Sequence, residues 1–322
     1  MIINTEKVVA LTKGAIRKLV DRRKQDARTF GTDNSRYCYA VWLRHLVHAQ
    51  KFGFNHINST VAELGPGESI GIGLAALITG SRKYYALDVH TYWNTKRNLM
   101  IFDKLVDLFK NRAPIPDNHE FPKVYPLLDE YAFPSQILND NLMKKMLTED
   151  RIIKLRSAIR NMDIHGSDEI QFFVPWEKNT EIESSSLDYI FSQAVLQYVD
   201  KLDSTYEKMN TLLRPGAMMS HCIDFSSHGM TKSWNGQWLY SDAEWKFLNG
   251  NKKVIINREP KSAHLHANSN NGFDVLLTKD LKKDIGFSRA RFHKQFSSLS
   301  ETDAGTAVSF ILSQKIKSNS ML

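Results

Sequence analysis

Cysteine is nearly absent. Cys38 and Cys222 are the two in 322 residues, too few for a disulfide framework or a four-cysteine zinc site, and no recognised metal-ligand spacing replaces them. Nothing at the N-terminus reads as a signal peptide, so the chain is assigned to a reducing cytoplasm. Long apolar runs are missing as well. Even the stretch from Ile70 to Thr79 is interrupted by glycines and falls short of the roughly 20 residues that cross a bilayer, which predicts no membrane span. There is no internal repeat and no low-complexity tract. What remains is ordinary globular composition, 42% hydrophobic and 24% charged, in a length that admits one large α/β domain with additions or two small domains.

The formal net charge is +8. It concentrates at Lys13, Arg17, Lys18, Arg22, Arg23, Lys24 and Arg28, diluted by Asp21 and Asp26. Such a run either attracts an anionic partner or is the solvated face of a helix. It lacks the aromatic signature of RNA-binding modules, and the solvated face is the reading adopted, so nucleic acid is not the predicted partner.

Hydrophobic periodicity predicts an N-terminal helical extension over 1–58, with apolar Val8, Leu11, Ile16 and Leu19 and a second apolar stretch from Tyr37 to Val47. Thr60 to Leu64 reads as a buried strand, a Gly/Pro turn follows, and a helix runs from Ser69 to Thr79, ended by Gly80. Tyr84 to Asp88 is a second strand and Trp93 to Phe109 a second helix. This β-α-β-α order implies a parallel sheet with right-handed crossovers. Residues 110–168, rich in proline, asparagine and charge, read as an insertion with a helix near Leu142 to Arg160. Strands resume at Ile170 to Val174, Leu187 to Ser192, Ala217 to Ile223, Phe273 to Thr278 and Ala307 to Gln314, with a helix from Ser204 to Leu213 between the second and third of them. The predicted fold is therefore α/β: a Rossmann-like, seven-stranded, mostly parallel sheet with flanking helices, spanning 59–315. A substrate-side insertion at 224–265 and a flexible tail at 316–322 complete it.

A strand ending in Glu63, a turn carrying Gly65, Pro66 and Gly67, and an immediate helix let backbone amides approach a ligand at a helix N-terminus. The second strand ends in Asp88, followed by Val89, where a carboxylate can accept both hydroxyls of a ribose. The dinucleotide fingerprint would place a third glycine at position 70, which is Ile70. Glu63 would also repel a pyrophosphate and suits an ammonium.

These residues resemble class I S-adenosylmethionine (SAM)-dependent methyltransferases: Glu63-Leu64-Gly65-Pro66-Gly67 looks like their first motif and Leu87-Asp88 like their second. The resemblance implies SAM as cofactor, Gly65 and Gly67 lining its methionine and ribose, and Asp88 holding the ribose hydroxyls. Ser185 to Leu196 resembles the family's fourth-strand segment, and Leu212 to Gly216 the turn before its fifth strand. Where members often carry an acid for the adenine amino group, this chain has Trp176, a residue that stacks on adenine or belongs to the core or a lid. Gln193 and Ala194, just past the fourth strand, border the sulfonium on this reading. Leu64 to Phe109, Ser192 to Val199, Ser220 to Phe225 and Trp234-Asn235-Gly236 further resemble methyltransferases of bacterial surface-polysaccharide and other glycan pathways.

A hydroxyl acceptor must lose its proton. His221, Asp224 and His228 cluster at the end of the predicted fifth strand and are the candidate base and its orienting carboxylate. Trp234, Trp238, Tyr240 and Trp245 either stack on a sugar, cover the donor, or form a local hydrophobic cluster. The predicted function is methyl transfer from SAM to a small-molecule or glycan hydroxyl. A nucleic-acid methyltransferase and a non-catalytic SAM-binding module are the alternatives, the first weakened because no Asn/Asp-Pro-Pro-Tyr-like motif is present. The oligomeric state is left open.

Overall fold

The computed structural model describes residues 31–91, 94–165, 167–178, 181–250, 254–284 and 286–317. The basic run from Lys13 to Arg28, most of the predicted N-terminal extension, Trp93 and the end of the tail lie outside them.

Helix α1, Ser35–Gln50, starts on Asn34, whose side chain accepts from the amides of Arg36 and Tyr37. Strand β1, Thr60–Leu64, is buried at every position, as a central strand covered on both faces must be. Helix α2, Gly71–Thr79, is likewise buried throughout, because it lies between the sheet and α1. Strand β2 (Lys83–Leu87) and helix α3 (Thr95–Lys110) follow, the latter burying Asn98, Ile101, Phe102, Leu105, Val106 and Phe109 at helical spacing. Helices α4 (Asp140–Met146) and α5 (Glu149–His165) lead to β3, Ile170–Phe173. Then come β4 (Leu187–Gln193), α6 (Leu202–Leu212), β5 (Leu213–Asp224), α7 (Asp242–Asn249), α8 (Lys261–Asn270), β6 (Phe273–Lys282), the short α9 (Glu301–Gly305) and β7 (Thr306–Lys315).

The sheet order is β3-β2-β1-β4-β5-β7-β6. All pairings are parallel except those of β7, which runs antiparallel to both neighbours. This is the Rossmann-like, mostly parallel sheet predicted from the sequence. The chain winds outward from β1 in both directions, so a crevice opens at the carboxyl ends of β1 and β4, where open α/β sheets take their ligands. Among the described residues no helix is long and apolar enough to cross a membrane.

Among the described residues three hydrophobic clusters form the core. One lies between the sheet and α1, α2, α3 and α5, with Trp42, Tyr84, Phe102 and Phe191 fully buried. The opposite face packs Tyr206, Met209 and Ile311 under α6 and α8. A third cluster, with Trp238, Tyr240, Trp245 and Phe292, sits beyond the carboxyl edge.

The structure differs from the sequence reading in three respects. The described part of the extension is no appendage: α1 is buried from Cys38 to Leu46, and the Trp42 indole donates to Thr79 Oγ1 at 2.9 Å. The helix expected near Leu142 to Arg160 is two helices. The second packs on α3 and β3 and so belongs to the helical layer, leaving 111–139 as the irregular part of the insertion. The segment 224–265 carries α7 and the start of α8, neither of which was predicted, although Ser241 and Glu244 form a capping box at the start of α7.

Candidate active site

The glycine turn adopts the backbone that its residue types allow. Gly65 and Gly67 have φ of +64° and +73°, a region that favours glycine. A Cβ on Gly65 would fall 2.6 Å from Val195 Cγ2, so the turn passes closely under the segment that follows β4. Pro66 between them is buried. Thr32 fastens the turn from the α1 side: its hydroxyl accepts from the Glu68 amide at 3.1 Å and its carbonyl from the Ser69 hydroxyl. Asn98 of α3 accepts from the Ile70 amide at 3.2 Å.

Asp88 stands at the end of β2, 8% exposed. Its Oδ1 accepts from the amides of Val89 (2.7 Å) and His90 (3.1 Å). Burial raises its pKa against the pull of these amides. The Gly65 amide donates to the Leu87 carbonyl at 2.7 Å, which joins the glycine turn to the strand end that carries Asp88. Val89, the next residue, is 47% exposed. Trp176 donates its backbone amide to the Asp88 carbonyl at 3.1 Å, while its side chain, 6% exposed, is packed in the α6/α8 cluster.

Glu63 lies beneath the turn rather than in its mouth. It is 1% exposed, accepts from the Tyr84 hydroxyl at 2.7 Å and is pushed up to about 8 by burial. A Cβ on Gly73 would sit 2.1 Å from the Tyr84 ring. This glycine, inside an apolar helix, is what lets the phenol reach Glu63; a glycine in a helical pattern was the available signal.

The end of β4 is similarly fixed. Gln193 accepts from His45 Nε2 at 3.2 Å and donates to the Tyr125 carbonyl at 3.3 Å. His45 is kept neutral by burial, which lowers it to about 4. Its Nδ1 meets Ser220 Oγ at 2.5 Å, and the Tyr189 hydroxyl meets the same oxygen. Beside His45, the buried guanidinium of Arg44 donates to the carbonyls of Val124, Pro126 and Pro116. Two consecutive residues of α1 thus hold the irregular 111–139 segment against the carboxyl edge. Ala194 is exposed and has φ of +56°, with its amide on the Cys222 carbonyl at 2.8 Å. A left-handed alanine is costly and persists where surroundings dictate it.

Of the three acceptor-side candidates, Asp224 and His228 come together and His221 does not. Asp224 Oδ1 accepts from the Ser226 amide at 2.8 Å, and Oδ2 stands 3.6 Å from His228 Nε2. His228 Nδ1 lies 3.1 Å from the Tyr198 hydroxyl. Its φ is +49°, another residue held in the left-handed region. His221 points to the α6/α8 face. It is 1% exposed, pairs with Ser192 Oγ at 2.8 Å, lies beside Tyr206, and is lowered to about 3 by burial. A strand's alternating side chains explain the split.

The tryptophan-rich segment forms a core of its own. Trp238, Tyr240 and Trp245 are 4% exposed or less. Arg258 lies over Trp245 and Phe296 and donates to the carbonyls of Gln237 and Tyr240. These buried aromatics build a wall.

The sequence reading missed His45, Val195 and Tyr198. Tyr198 lies one turn after Val195, its amide on the Val195 carbonyl at 2.9 Å, so the glycine turn and the Tyr198–His228–Asp224 group are neighbours. The chain is similar to a SAM-dependent methyltransferase from Methanosarcina mazei (11% identity over 84% of this chain and 97% of that one, TM-score 0.44) and to one from Mesorhizobium loti (12%, 84% and 98%, 0.43). It is also similar to phosphoethanolamine N-methyltransferase 2 from Haemonchus contortus, solved with S-adenosyl-L-methionine (12%, 90% and 59%, 0.44). Comparison with protein-family models finds no match, and neither does comparison with curated proteins.

Proposed function

We propose that the chain is a SAM-dependent methyltransferase acting on the hydroxyl of a small-molecule or glycan acceptor. The observation that carries this reading is the bond from the Gly65 amide to the Leu87 carbonyl at 2.7 Å, which sets the glycine turn beside Asp88. It brings a side-chain-free turn and a strand-end acid to one rim of the sheet's crevice. The residues fit the donor: Gly65 and Gly67 would let the backbone approach its methionine and ribose, and Asp88 would hold the ribose hydroxyls. Val89 and Trp176 would border the adenine, and Gln193 and Ala194 the methyl group. Glu63, with Tyr84, would shape the turn from beneath.

The donor supplies a methyl group already activated on a sulfonium, so positioning accounts for much of the rate. The remaining demand is the acceptor's proton. His228 is held on both ring edges, by Tyr198 at Nδ1 and by Asp224 near Nε2. It takes the proton at Nδ1 when the acceptor displaces the phenol, and Asp224 stabilises the resulting cation. His221, with no surface to offer, has no part in this step.

Calorimetric titration of SAM and S-adenosylhomocysteine into wild type and Asp88→Ala tests the donor half. Saturable binding that the variant loses is the expected result, and a folded wild type that binds neither compound would sink the reading. Transfer of labelled methyl to a panel of nucleotide sugars and glycosides then tests the acceptor half.

A further inference from the structure

The charge outside the donor turn is not evenly spread. Residues 281–294 carry Lys282, Lys283, Arg289, Arg291 and Lys294 against the single acid Asp284. This segment joins β6 to β7. Because β7 is antiparallel to β5 and β6, the connection lies on the same carboxyl edge as Asp224 and His228.

There it borders a cavity of about 600 Å³, lined by Lys282, Lys283 and Arg289, by the acids Asp284 and Glu301, and by Asn235.

The cavity wall is built. Asn235, 2% exposed, clamps Phe287 by accepting from its amide at 2.8 Å and donating to its carbonyl at 3.0 Å. A Cβ on Gly286 would fall 2.6 Å from the Asn235 amide group, and one on Gly236 would fall 2.3 Å from Thr231 Oγ1. The Trp234-Asn235-Gly236 motif therefore fixes the basic segment in place. Arg289 is paired with Glu301 at 2.5 Å, and its Nε is buried without a partner. Lys282 and Lys283 are exposed, and among the described residues neither pairs with an acid.

Register sets the distance to the proposed chemistry. Asp224 pairs with Val308, and Val308 pairs with Leu281, the neighbour of Lys282. Two strand spacings, about 10 Å, separate Asp224 from Leu281. A sugar ring with its anomeric phosphate reaches across such a gap. We propose that this cavity holds the diphosphate of the acceptor, so that the substrate is a sugar carried on a diphosphate rather than a neutral glycan. The proposal rests on the methyltransferase reading above. Two free ammonium groups beside a guanidinium suit several phosphate oxygens at once, and the volume lies in the range of small-molecule sites.

The test titrates inorganic pyrophosphate, uridine diphosphate and uridine diphosphate glucose into the full chain saturated with S-adenosylhomocysteine. It compares wild type with the exposed double variant Lys282→Glu/Lys283→Glu. Binding of all three that weakens at least tenfold in the variant, about 1.4 kcal/mol, with donor affinity unchanged, is the expected result. No binding of any of them to a wild type that binds the donor would overturn the proposal and leave the methyltransferase reading standing. Equal binding to both proteins would also overturn it, as would preference for a short single-stranded RNA over uridine diphosphate. Failure of donor binding alone would strike the methyltransferase reading instead.

Discussion

The proposed donor half and the proposed acceptor half of the site are built in different ways. The donor half draws on 63–67 and 88–89, two strand ends adjacent in the sheet, and its essential features are backbone conformations and one carboxylate. The acceptor half gathers Tyr198, Asp224 and His228 with the wall around Asn235 and Phe287, and takes its shape from side chains meeting across loops. The comparison teaches that a site made of turns and strand ends is written locally, whereas one made of converging loops depends on how those loops pack.

The largest effect is expected on the acceptor side. His228→Ala should lower methyl transfer by a factor on the order of 10²–10⁴ while leaving the calorimetric affinity for SAM unchanged; an equal loss of donor affinity would erase the division into halves. Next, Gly65→Ala should weaken donor binding by about ten- to a hundredfold, since the new methyl meets Val195 and the backbone is left-handed. Adding Val195→Ala should recover part of that loss in the same titration, and no recovery would mean that backbone strain alone dominates.

A third effect concerns the whole fold. Burial lowers His45, His48 and His56 to about 4 and His221 and His264 to about 3. Their contribution is present above the ordinary histidine value of 6.5 and is lost as pH falls toward 4 and 3, because the unfolded chain takes up protons that the folded chain refuses. Glu63, raised to about 8, works in the opposite sense, its contribution being lost as pH rises from 4.5 through 8. Urea midpoints should therefore fall between pH 7 and pH 5, and a midpoint that rises would contradict the burial of these rings. The smallest effect is at Ala194→Gly, which relieves a left-handed alanine. It should change stability by about 1 kcal/mol or less, read as a small shift in Tm.

Much of the sheet was legible because each strand is a short apolar run bounded by turn residues, and because Gly65, Gly67 and Asp88 stand at strand ends where their roles can be read from type alone. Helices α7 and α8 escaped because their sequences are polar and their helicity is settled by packing around Trp238 and Tyr206. Tyr198 and His45 escaped because neither sits in a motif. His221 was grouped with Asp224 and His228 by proximity in sequence, yet strand alternation turns it to the other face.

The sequence by itself determined the α/β order, the left-handed glycine turn and the acid that faces it, since these follow from hydrophobic period and from the conformations glycine permits. Only the tertiary structure decided that α1 is core, that the tryptophans make a wall, and that Tyr198, His228 and Asp224 meet. The packing of α1 and the meeting of Tyr198 with His228 join residues far apart in the chain, and nothing local encodes which side chains will face each other once the helices and loops have packed.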